Sequence, residues 1–144
     1  MNRHLIVITV CVWLTCVSAF ASASFEDKVS GKGTIRLVGW AKLRGEFKIY
    51  SDVASMNAGL SFPHCISGVF ASQAEIVKSL LVFDGQLVTL TGELFTYADL
   101  PDDGRPELPR KMVASSVVFN GCLGANVLLI KKIELASKAD SLVN

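Results

Sequence analysis

The chain has 144 residues, 51% of them hydrophobic and 19% charged, with 14 Lys and Arg against 13 Asp and Glu. That length fits one domain with a modest core. The even charge balance argues against nucleic acid or an anionic membrane as the main partner, since both require a clear positive excess.

In chain order, the first feature is a tripartite leader. Met1-Asn2-Arg3-His4 is basic, Leu5–Val17 is apolar and uncharged, and Ser18–Ala23 is mostly small. Ala21-Ser22-Ala23 fits the small-x-small rule for cleavage before Ser24, with Ala19-Phe20-Ala21 as a second option. The apolar run is shorter than the roughly 20 residues a membrane span needs. Residues 1–23 are therefore expected to be a signal peptide, leaving a periplasmic or secreted protein with no stable membrane anchor after cleavage. Lipidation is disfavoured, because Val10 and Thr15 are poor residues before Cys11 and Cys16. Removing residues 1–23 from 144 leaves 121. Arg3 is lost from the 14 basic residues, so 13 basic face 13 acidic and the net charge becomes zero.

Residues 24–33 read as a flexible lead-in. From Thr34 to Arg44, Ile35, Leu37, Ala41 and Leu43 alternate with Arg36, Trp40, Lys42 and Arg44, the period of a half-buried strand. Gly39 in its middle suggests a bulge or bend. Arg44-Gly45-Glu46 is a tight turn into a second strand, Phe47–Tyr50. Ser51–Pro63 reads as a loop and Cys65–Phe70 as a third strand. Ser72-Gln73-Ala74-Glu75 matches a capping box, and Ile76, Val77, Leu80 and Leu81 follow at helical spacing. Gln86–Tyr97 is the clearest strand. Residues 98–110 carry Pro101, Gly104, Pro106 and Pro109 and read as a long loop. Met112–Phe119 is either a strand or irregular, Val127–Leu135 is the last strand, and residues 137–144 read as a frayed tail.

The expected domain, residues 34–136, is thus all-β with one short helix between its third and fourth strands. That is the order of a five-stranded OB-fold-like Greek-key barrel. Four segments also resemble a family: Ser61–Phe70, Phe83–Phe95, Leu108–Met112 and Asn126–Ile133 are similar to small exported OB-fold proteins of Gram-negative bacteria. The resemblance implies the fold and a place in the cell envelope. It supplies no ligand and no catalytic residues.

After the leader is removed, Cys65 and Cys122 remain, 57 positions apart. In an oxidising compartment they most simply form one disulfide. The rival is a metal site with His64, but three soft ligands, two of them adjacent, make a poor set. No Gly-x-Ser-x-Gly, phosphate loop, dinucleotide fingerprint or zinc spacing occurs. His64 is the one histidine left to serve as a base. No catalytic, cofactor or metal residue is therefore expected.

The expected role is a non-enzymatic binding or accessory domain for a protein, a peptide or an envelope glycan. The alternatives are a protein-directed inhibitor or toxin-associated subunit and, behind it, a hydrolase. Candidate ligand contacts are Trp40, Tyr97, Arg105, Arg110 and Lys111. Trp40 either stacks on a ligand or is turned inward at Gly39. The long connection over 98–126 either recognises a partner or packs on the barrel.

Overall fold

The computed structural model describes residues 24–26, 28, 33–70, 80–137 and 140. The expected signal peptide and most of the helix expected from the capping box at Ser72 lie outside the described residues. Of that segment, Leu80 is helical and Leu81–Phe83 form a 3-10 turn.

Among the described residues there are seven strands and one α-helix. They are β1 (Gly33–Arg44), β2 (Glu46–Tyr50), α1 (Val53–Ala58), β3 (Cys65–Phe70), β4 (Leu87–Thr96), β5 (Lys111–Val113), β6 (Ser116–Val118) and β7 (Asn126–Leu135). Five of the strands close a barrel in the order β1-β2-β3-β7-β4, and β1 pairs with β4 to seal it. β3 and β7 run parallel; the other barrel neighbours are antiparallel. This is the OB-fold-like barrel that the element order implies.

Alternation fills the interior. Leu37 and Ala41 of β1, Phe47 and Ile49 of β2, Ile66 and Phe70 of β3, Val88, Leu90 and Leu94 of β4, and Leu128 and Ile130 of β7 form the main core. Gly39 is not a bulge. Its register with Val88 is continuous with that of its neighbours. A Cβ there would lie 2.6 Å from the Tyr50 carbonyl oxygen and 2.6 Å from Ile49 Cγ2, so glycine is required by close approach. The bulge sits instead between β4 and β7. Thr91 faces Lys132 while Gly92 faces Ile130, so Lys131 is the extra residue. That shift keeps both Lys131 and Lys132 exposed and returns Ile133 to the core.

Two further expectations are corrected. The segment expected to be a loop over Ser51–Pro63 contains α1. Asp52 caps it, accepting from the Ser55 backbone N–H at 2.7 Å, and Gly59 closes it at φ 64°. The lead-in is not loose at Phe25, which is 2% exposed within the main core and whose N–H donates to the Pro63 carbonyl.

The connection from β4 to β7 packs on the outside of the barrel. Leu100, Val113 and Val118 cover Val69, Val127 and Leu129 in a second apolar cluster, with Phe95 and Tyr97 at its edge. The β5–β6 hairpin turns on Ala114 and Ser115, both at positive φ. Cys65 and Cys122 form the disulfide, with Cα atoms 5.6 Å apart, and Tyr50, Trp40 and Met56 pack around it.

Candidate functional site

An OB-fold barrel offers ligands the outer face around its second and third strands. Here the outer side of β3 is covered. Cys65 is bonded to Cys122, the Ser67 hydroxyl accepts from the Cys122 N–H at 3.1 Å, and Val69 lies in the second cluster. What stays open is the outer face of the β1–β2 hairpin.

Register places three cross-strand pairs on that face: Arg44 opposite Glu46, Lys42 opposite Lys48, and Trp40 opposite Tyr50. The alternate residues, Ala41, Phe47 and Ile49, point into the barrel. The C-terminal half of α1 stands beside the hairpin. Between them runs a cleft of about 530 Å³ lined by Lys42, Arg44, Glu46, Lys48, Tyr50 and α1 residues Met56, Asn57 and Ala58, with Gly59 at its edge.

The cleft is cationic and incompletely neutralised. Lys48 Nζ pairs with Glu46 at 2.9 Å, and Lys42 Nζ stands 3.9 Å from Asp84, which lies outside the lining. Arg44 makes no ion pair with any described residue. Two lysines directly opposite on a sheet repel, and here each stands beside one carboxylate, Glu46 or Asp84. Glu46 is held in place from the other side, accepting from the Gly121 N–H at 3.0 Å. A Cβ on Gly121 would lie 1.8 Å from Glu46 Oε1, so a side chain there would displace the Glu46 carboxylate.

The five contacts expected from sequence are spread over the surface. Trp40 is half-buried against the disulfide cluster, next to Tyr50 and outside the cleft lining. Tyr97 packs beneath the long connection. Lys111 anchors that connection, donating to the Leu100 carbonyl at 2.9 Å and pairing with Asp102 at 3.2 Å. Arg105 and Arg110 do come together. They line a shallow recess of about 420 Å³ with Pro106, Glu107 and Leu108. Their backbone N–H groups both donate to Asp103 Oδ1 at 3.2 Å. Burial opposes the charge on Asp103, but those N–H donors and the two arginines hold its carboxyl below the usual carboxylate range. The recess shares no lining residue with the hairpin cleft.

Sequence reasoning missed Lys48, Tyr50, Met56 and Asn57. The alternation through the turn at Gly45 carried the signal for Lys48 and Tyr50. Asp52 three residues before Ser55, with Gly59 behind, carried it for α1.

His64 lines neither the cleft nor the recess. It is close enough to Asp52 to act on it electrostatically. Burial raises the Asp52 pKa, but the Ser55 N–H, the Ser55 and Ser51 hydroxyls and His64 together lower it by more, giving a net downward shift. The Asp52 oxygens are occupied as the α1 cap, accepting from Ser55 N–H and Oγ at 2.7 Å and from Ser51 Oγ at 3.1 Å. Among the described residues, no three His, Cys, Asp or Glu side chains converge as for a metal.

Fold and site define a small barrel tied by one disulfide, with a polar, cationic outer cleft. Compared with protein-family models, curated proteins and solved structures, the chain matches none.

Proposed function

We propose that this protein is an exported, non-enzymatic binding or accessory domain of the cell envelope, and that it engages its ligand through the β1–β2 cleft. The observation that carries this is the unneutralised Arg44 beside the opposed Lys42 and Lys48 on the open face of an OB-fold-like barrel. A sheet that served only as scaffold gains nothing from that arrangement, and breaks in local consistency concentrate at functional sites. Export is supported by the leader sequence and by the Cys65–Cys122 bond, which persists in oxidising compartments. A non-enzymatic role is supported by the Asp52 carboxylate, which lies within the electrostatic reach of His64, being engaged as a helix cap.

The test is capture from envelope extract by the disulfide-bonded protein. The expected result is a ligand lost on Arg44→Glu and retained when Arg105, Arg110 and Lys111 are all changed to Ala. The reverse pattern would move the binding surface to the long connection.

A second reading, a protein-directed inhibitor or toxin-associated subunit, is favoured by one observation. Leu108, Phe119 and Leu123 of the long connection are 65%, 57% and 77% exposed. Exposed large apolar residues mark protein contacts when they are contiguous. On that reading, Leu123→Asp abolishes capture of a protein and Arg44→Glu does not.

A further inference from the structure

We propose that the ligand of the β1–β2 cleft is an acidic sugar carrying one carboxylate per ring, that is, a uronic-acid unit of a glycan; this rests on the cleft being the binding site.

Charge sets the first constraint. The lining holds three cations and Glu46, and Asp84 stands at its border beside Lys42. With Lys48 matched to Glu46 and Lys42 to Asp84, the guanidinium of Arg44 is the charge left over. One planar guanidinium matches one carboxylate, through two parallel N–H donors.

Size sets the second constraint. About 530 Å³ is far more than a carboxylate needs and lies within the range of small-ligand sites. The remaining lining suits hydroxyl groups. Asn57 offers an amide, and Tyr50, although 3% exposed, lines the cleft with a hydroxyl that no described residue partners. Met56 and Ala58 supply a small apolar wall for a ring's C–H face.

Topology sets the third constraint. β2 pairs with β1 and, over Phe47–Tyr50, with β3. β1 pairs with β4 as far as Trp40, and beyond it the edge away from β2 is taken up by residues 84–86, with Ala41 bonded to Gly85 and Gln86 and the Leu43 N–H donating to Asp84 Oδ1. No free edge is available at the cleft for an acidic peptide to extend the sheet.

The experiment follows backbone amide shifts of the disulfide-bonded protein during titration with digalacturonate, with its neutral methyl ester and with tetraglutamate. Digalacturonate is expected to shift Arg44, Lys48 and Asn57, and the ester to bind at least tenfold more weakly. Arg44→Gln is expected to weaken digalacturonate roughly ten- to hundredfold, the effect of losing a charge-assisted hydrogen-bond pair. Tyr50→Phe is expected to weaken it without a change in melting temperature. Equal binding of the ester overturns the proposal, as does binding of tetraglutamate alone. If no probe binds, the proposal also fails. Arg44-dependent capture from envelope extract then leaves the cleft as the binding face with another ligand, and loss of that dependence removes both.

Discussion

At the scale of single residues, Phe25 has the largest predicted effect. It follows closely on the expected cleavage site, yet its ring lies in the main core, 3.0 Å from where a Cβ on Gly39 would sit. Phe25→Ala is expected to cost about 3–5 kcal/mol in urea unfolding, the range for a large ring removed from a core. The sequence offered no sign of this, because an isolated aromatic in a polar stretch has no period to betray it. Lys42 behaves differently. Its neighbour across the sheet is Lys48 and its pairing with Asp84 is long, so Lys42→Thr is expected to raise stability by about 0.2–1 kcal/mol. The same change is expected to weaken ligand capture. Gain of stability with loss of binding identifies a residue kept for function; a loss of stability would assign Lys42 to the scaffold.

At the scale of elements, α1 forms one wall of the cleft and depends on Asp52. Burial disfavours the charged carboxylate, but the Ser55 and Ser51 donors and His64 outweigh it, so the folded pKa lies below the unfolded value. The sign follows directly: the stabilisation is present above about pH 4, where the unfolded carboxyl is ionised, and is lost as pH falls through the folded pKa. Asp52→Ala is expected to cost about 0.5–2 kcal/mol and to flatten this acid-side slope in melting temperature between about pH 5 and 3. An unchanged slope would show that the cap does not hold α1. The strands were legible because period-two alternation is strong in β1, β2 and β4. The helix was not, since the six residues between Asp52 and Gly59 give too few apolar positions to show a period. The β5–β6 hairpin was hidden for a different reason. Its turn residues, Ala114 and Ser115, are not the Asn-Gly or Gly that positive φ favours.

At the scale of the molecule, barrel closure and the disulfide do different work. Closure fixes the hairpin face, while the bond between Cys65 and Cys122 ties the long connection over β3 beside it. Changing both cysteines to Ser is expected to lower stability by about 2–4 kcal/mol, given the 57-residue separation. It is expected to leave the pairing of β1 with β2 intact by amide exchange. Two free thiols in the purified protein by non-reducing mass spectrometry would refute the bridge. The barrel order was readable because five strands with this spacing have few closed solutions. The cleft was only half readable: Lys42 and Arg44 stood out beside Trp40, but the residues that complete the site come from β2 and from a helix the pattern concealed. Arg105 and Arg110 stood out in sequence because loops rich in proline and arginine attract attention, whereas in three dimensions their backbone N–H groups organise Asp103 within the loop. The most direct measurement is an amide-shift map of the disulfide-bonded protein titrated with envelope extract. Shifts are expected at Lys42, Arg44, Lys48 and Asn57; shifts confined to residues 105–110 and 119–123 would contradict the assignment of the hairpin cleft as the binding face.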